Sequence, residues 1–147
     1  ATAFILFKQD SVLYTLTFTA KAVRYLTVKN TGDGFIQMSF SNRKPETVTA
    51  IPEDLLNGLF LLRMKFYLSQ QACLAVYERE EDVLAERKTP EYLKRLAPFD
   101  VMVIATAKAC DFISRYFWPA NGGDEDPVTG SIHAGLAPLW AEKVGKN

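Results

Sequence analysis

Residues 122–131, Gly-Gly-Asp-Glu-Asp-Pro-Val-Thr-Gly-Ser, carry an acidic loop through a proline into a segment patterned as a buried helix. The first N–H groups of a helix lack intrahelical partners, and the macrodipole places roughly half a positive charge there, so such a start attracts carboxylate or enolate oxygens. Gly130 lets a ligand approach the backbone, and the hydroxyls of Thr129 and Ser131 add donors. Asp126, held by Pro127, can stay ionised and bind a substrate amine or hydroxyl, or shift its pKa and move protons. The pattern leaves a second use open, in which Asp126, Thr129 or Ser131 is a helix cap and Asp124-Glu125 a solvated turn. A calcium loop is disfavoured, because the oxygens are not at EF-hand spacing and no later glutamate completes the set.

The elements that must position this segment read as α+β. Residues 1–8 look like the back end of a buried helix, since Phe4, Ile5, Leu6 and Phe7 would coat every side of it. Residues 11–19 alternate, with Val12, Tyr14, Leu16 and Phe18 opposite Thr15, Thr17 and Thr19, which predicts a half-buried strand. Strands over 22–29 and 35–40 are joined by Asn30-Thr31-Gly32-Asp33-Gly34, a hairpin turn. Residues 41–48 are polar and extended, a linker. Pro52 opens a short helix stopped by Gly58, and strands over 62–68 and 72–78 turn through 69–71. Helical pieces over 80–87 and 89–96 follow, the second opened by Thr89 as N-cap and Pro90, and then strands over 101–105 and 111–118. The last helix carries Ile132, Leu136, Leu139, Trp140 and Val144 and ends at Gly145. This alternation fits α+β better than a parallel doubly wound sheet.

Composition removes several function classes. The 147 residues carry 17 basic and 17 acidic side chains, so a protein that works by neutralising phosphates is not expected, and nucleic acid is not an expected partner. Cys73 and Cys110 lack CxxC spacing and a companion histidine, which suggests neither a zinc site nor a disulfide but two reduced, packed thiols in a cytoplasmic protein. The longest apolar runs, residues 1–7 and 59–62, fall far short of the about 18 residues that span a bilayer, so no membrane association is expected. No basic stretch precedes the first run, so a signal peptide is not expected either.

Three stretches, residues 111–117 (Asp-Phe-Ile-Ser-Arg-Tyr-Phe), 125–131 (Glu-Asp-Pro-Val-Thr-Gly-Ser) and 134–143 (Ala-Gly-Leu-Ala-Pro-Leu-Trp-Ala-Glu-Lys), resemble the signature of the phenazine-biosynthesis (PhzF-like) isomerase family. Residues 1–7 resemble the helix that follows the family's Gly-His-Ala-Thr motif, and 11–40 the strands after it. The resemblance implies a diaminopimelate-epimerase-like fold, in which two similar domains each wrap a barrel-like sheet around a central helix with the active site between them. It implies proton transfer on a small carboxylate-bearing metabolite without metal or organic cofactor. By position, Asp126 is the active-site aspartate and Ser131 the active-site serine, with Thr129, Gly130 and Ser131 as the substrate-binding anion pocket. His133 receives no role; it is expected to be packed or on the surface.

The resemblance further implies that the chain is the middle half of a family member. Residues 1–48 correspond to the latter part of its N-terminal domain and 49–147 to the first part of its C-terminal domain. The family's proton-shuttling glutamate and its Gly-His pair then fall before residue 1. The two parts could close into one permuted barrel-like domain, or two copies could complete each other; a homodimer with exchanged or shared sheet edges is expected. The expected function is a PhzF-like isomerase with an incomplete catalytic set, the alternative a non-catalytic anion-binding or dimerisation module. An unrelated hot-dog-like binding protein is a third possibility.

Overall fold

The computed structural model describes residues 2–21, 24–60 and 64–145. The chain divides into two compact units, residues 1–41 and 42–147.

In the first unit, helix α1 (Thr2–Gln9) precedes an antiparallel meander of β1 (Thr15–Ala20), β2 (Arg24–Asn30) and β3 (Ile36–Met38). The helix is not buried on every side as its composition suggests: Phe7 is buried, but Phe4 and Ile5 are 51% and 54% exposed. A helix of two turns seats one stripe against its neighbours and leaves the rest outside. Strand β1 starts at Thr15 rather than 11, because the Asp10 carboxylate takes the Val12 N–H at 3.0 Å and folds 10–13 into a turn. Its threonines face solvent, while Leu16 and Phe18 are half-buried, as the alternation predicts. The β2–β3 turn uses positive φ at Gly32 (82°) and Gly34 (91°), with the Asn30 side chain accepting from Gly32 N at 3.1 Å. Residues 22 and 23 of the expected second strand lie outside the described residues.

The second unit is a six-stranded sheet in the order β4-β5-β6-β7-β8-β9. The strands are β4 (Glu46–Thr47), β5 (Met64–Leu68), β6 (Ala72–Tyr77), β7 (Asp100–Thr106), β8 (Phe112–Phe117) and β9 (Glu125–Asp126). Neighbours are antiparallel except β6 and β7, whose parallel pairing needs the crossover through α3 (Glu80–Ala85), α4 (Pro90–Leu93) and a 3-10 turn. Thr89 does precede α4, but its backbone carbonyl, not its side chain, receives Tyr92 N and Leu93 N. Part of the stretch expected as a linker is an edge strand, since Glu46 pairs with Leu68 and Thr47 with Tyr67. Among the described residues both sheets are open; neither closes into a barrel.

Strict alternation sorts the central strands onto two cores. Cys73, Ala75, Tyr77, Val101, Val103 and Phe117 pack with Leu55 of α2 (Glu53–Gly58) and with Val83 and Leu93 on one face. Leu74, Val76, Met102, Ile104 and Tyr116 pack on the other face with Leu136, Leu139 and Trp140 of α5 (His133–Val144). Strands covered on both faces read as continuous apolar runs, as in Ala72–Tyr77, where all six residues are buried. Helix α5 ends at Gly145, φ 67°. It lies close under the chain at its first turn: Arg43 N donates to Ala134 O at 3.1 Å, and a Cβ on Gly135 would stand 2.7 Å from Arg43 O. Of the two thiols, Cys73 is packed in the core, but Cys110 is exposed, because it sits in the turn before β8 rather than in a strand.

Candidate functional site

The acidic loop is exposed at Asp124 and Glu125, but cationic side chains tie it down. Glu125 receives two hydrogen bonds from Arg115, Nε to Oε1 and Nη2 to Oε2, both at 2.8 Å, and Lys88 Nζ lies 3.1 Å from Asp124 and 3.6 Å from Glu125. Arg115 in turn donates to the carbonyls of Val83 (3.3 Å) and Glu86 (2.9 Å), and Lys88 sits over the Phe117 ring. The Arg115 guanidinium holds the Glu125 carboxyl below its usual range. With Glu125 fixed, β9 pairs with β8 and sets Asp126 opposite Tyr116.

From there the chain enters α5 through a 3-10 turn, Gly130–Ile132. Asp126 Oδ1 accepts from Val128 N at 3.2 Å and Oδ2 from the Thr129 hydroxyl at 2.7 Å, an arrangement that fixes the carboxylate against its own loop. The hydroxyls do not cap the helix: Thr129 turns back to Asp126, and its cap position makes no side-chain hydrogen bond. Ser131 Oγ instead accepts from Gln71 Nε2 at 3.1 Å. Gly130 is exposed, and a Cβ built on it meets nothing within 4 Å. His133 is exposed; its Nδ1 lies 3.2 Å from Thr129 O, so that nitrogen carries the proton, and its ring is 6.2 Å from Phe112.

Behind Ser131 lies a polar chain that the sequence does not announce. Gln71 Nε2 also donates to Tyr116 Oη at 3.1 Å, Tyr116 donates to Asp100 Oδ2 at 2.7 Å, and Asn121 Nδ2 donates to Asp100 Oδ1 at 2.7 Å. Burial pushes the Tyr116 phenol up to about 12, the charges of Asp100 and Asp126 adding to it. Gln71 reaches this place from the β5–β6 turn, where Ser69 Oγ accepts from Gln71 N (3.2 Å) and Ala72 N (2.9 Å). Locally Gln71 is only a polar turn residue, so spacing offers no signal for it.

A recess of roughly 10 Å³, room for one water, opens between Arg43, Gln71, Ser131 and Gly135. A far larger groove of about 690 Å³ lies between β4 and the end of α5, lined by Lys44, Tyr67, Glu142 and Lys143, and none of residues 125–131 lines it. Size and chemistry disagree here. The larger groove holds an ion pair, Lys44 to Glu142 at 2.5 Å, whereas Ser131 of the motif lines only the small recess. Among the described residues, no group of three or more His, Cys, Asp or Glu converges to hold a metal, and no helix is long and apolar enough to cross a membrane.

Residues 87–147, which contain the whole of this segment, match the family model described as phenazine biosynthesis-like protein (PhzC-PhzF). The chain belongs to the phenazine-biosynthesis-like (PhzF) family. Over its full span this PhzF-family chain is 37% identical, across 147 residues and 99% of its length, to an uncharacterised isomerase of Pseudomonas aeruginosa. It is 35% identical over 161 aligned residues to an uncharacterised isomerase of Halalkalibacterium halodurans. Its fold matches a PhzF-family phenazine biosynthesis protein of Enterococcus faecalis with TM-score 0.85 and 31% identity over 99% of this chain. A phenazine biosynthesis PhzC/PhzF protein of Clostridium difficile matches with TM-score 0.82 and 28% identity over 98%. The PhzF-family chain spans about half the length of these relatives, 55% and 56% of the two isomerases and 55% and 54% of the two structures.

Proposed function

We propose that residues 125–131 form the carboxylate-binding side of a cofactor-independent isomerase site, where a proton is moved on a small metabolite bearing a carboxylate. The observation that carries this is that Asp126, the open Gly130 and Ser131 stand together within residues 126–131 at the entry to α5, Asp126 bonded to Thr129 and Ser131 to Gln71, inside the segment that matches the family. In the proposed complex the Ser131 hydroxyl and the first N–H groups of the helix take the ligand's carboxylate. Asp126 receives an amine or hydroxyl of the ligand and so polarises the reacting carbon.

Asp126 is engaged at both oxygens, by Val128 N and by Thr129, which suits a fixed acceptor better than a group that carries a proton from one carbon to another. The proton carrier is therefore proposed to be a separate carboxylate, which the family resemblance assigns to a glutamate outside residues 1–147. General acid–base catalysis contributes roughly 10² to 10⁴-fold, so these residues alone would bind and polarise with little turnover. The test is proton–deuterium exchange into small carboxylates, read by NMR, with binding measured in parallel for wild type and Asp126→Ala. Exchange that vanishes in the variant supports catalysis by this chain, binding without exchange supports the binding half alone, and neither binding nor exchange refutes the proposal.

Self-association of two copies is the proposed assembly. It is supported by apolar side chains left exposed in the first unit, Val12, Tyr14, Tyr25 and Phe35 among them, each at least 65% exposed. Sedimentation at micromolar protein checks it, and a monodisperse monomer overturns it.

A further inference from the structure

The polar chain behind Ser131 has a direction, and each bond in it is forced by the one before. A carboxylate has only lone pairs to offer, so at Asp100 both Asn121 Nδ2 and Tyr116 Oη must be donors. Tyr116 has a single proton and spends it on Asp100, so toward Gln71 its oxygen can only accept. That settles which end of the Gln71 amide faces inward, a choice that is otherwise ambiguous for glutamine: Nε2 points at Tyr116, and its second N–H points at Ser131 Oγ, 3.1 Å away. The Ser131 oxygen therefore accepts from behind, and its one proton is left to be given outward. Tyr116 is buried and its phenol is held protonated well past neutrality, so the chain keeps this polarity across the working pH range.

We propose that Gln71 is a positioning and specificity-determining residue of the ligand site, occupying one lone pair of Ser131 and leaving its proton to be given outward, so that the site favours an acceptor group, a carboxylate or enolate oxygen, over an ammonium. The proposal rests on the carboxylate-binding function assigned above to residues 129–131. Gln71 touches no ligand in this scheme; it acts through Ser131. The main-chain link from Asp100 N to Gln71 O, 3.0 Å, ties together the two residues that flank Tyr116 in the chain of bonds.

The experiment is a double-mutant cycle on ligand affinity, with benzoate as the acceptor probe and benzylamine as the donor probe, for wild type, Gln71→Leu, Ser131→Ala and the double variant. Benzoate is expected to bind about 5- to 10-fold more weakly to Gln71→Leu and to Ser131→Ala, the double variant being no weaker than Ser131→Ala alone, because one hydrogen bond is at stake in each. Benzylamine affinity is expected to be unmoved or to rise. Tyr116→Phe, which keeps the core volume, is expected to weaken benzoate as Gln71→Leu does, and serves where the leucine variant fails to fold. Equal loss on Gln71→Leu in both serine backgrounds, or no loss in either, overturns the role of Gln71 while leaving the carboxylate site standing. Failure of wild type to bind benzoate or any other small carboxylate overturns the site itself and the role of Gln71 with it.

Discussion

Gln71 Nε2 stands 3.1 Å from Ser131 Oγ although 60 positions separate the two residues in the chain. The contact exists because the β5–β6 turn and the 3-10 entry to α5 meet at one end of the six-stranded sheet, where Tyr116 of β8 lies within reach of both. The candidate site is thus supported from the sheet side by residues of three separate elements, and its properties can be probed one contact at a time.

Gly130→Ala separates ligand access from folding. The added methyl meets no protein atom within 4 Å, so the unfolding free energy from urea titration should stay within about 1 kcal/mol of wild type. Benzoate affinity should fall about tenfold, because the methyl stands where a ligand would reach the backbone. Unchanged binding would show that no ligand group approaches at this residue.

Gly135→Ala should act in the opposite way. Its Cβ would stand 2.7 Å from the Arg43 carbonyl oxygen and 3.5 Å from Pro45, and a backbone carbonyl cannot swing aside as a side chain can. A loss of about 1–3 kcal/mol in urea unfolding is expected. A variant as stable as wild type would show that residues 43–45 do not close over the first turn of α5 in solution.

The Arg115–Glu125 pair should be visible in the acid limb of stability. Because Arg115 lowers the folded-state pKa of Glu125, the pair's contribution is fully present above the unfolded glutamate value of about 4.3 and is lost as pH falls through the lower folded value. Wild type should therefore lose stability more steeply than Arg115→Met below about pH 4.3. Asp82, lowered by Arg79, and Glu81, lowered by a backbone hydrogen bond and then by Lys108, are common to both proteins and cancel in the difference. Parallel acid limbs would count against a persistent ion pair in solution.

Thiol accessibility gives an independent check on the fold. Cys110 is exposed, while Cys73 is 6% exposed and its thiol pKa is raised by burial. A colorimetric disulfide reagent should titrate one thiol promptly in the native protein and the second only on unfolding. Two prompt thiols would mean that β6 is not held in the core as described.

Much of the architecture was legible from local pattern. Strand β7 announced itself by an uninterrupted apolar run, the β2–β3 hairpin by its glycines, and α5 by apolar residues at helical spacing ending in Gly145. Local pattern misled where the deciding partner was remote. Residues 1–8 looked buried because composition cannot say how much of a short helix finds a neighbour. Residues 46–47 looked like linker because a two-residue edge strand carries no periodicity, and only its pairing with Leu68 and Tyr67 makes it a strand. The ion pairs that tie down the acidic loop carry no local signal, because Arg115 and Lys88 lie 10 or more positions away from Glu125.

By itself the sequence determined which residues can do chemistry, since Asp126, Thr129, Gly130 and Ser131 stand in one short segment and their functional groups follow from residue type. Tertiary structure alone decided how those groups are used: that Thr129 serves Asp126 instead of capping the helix, that Arg115 fixes the loop, and that Gln71 turns Ser131 into a donor. The physical reason is that a hydroxyl or an amide has no fixed role until its partners are chosen, and here those partners are supplied by strands and turns brought together only when the sheet forms.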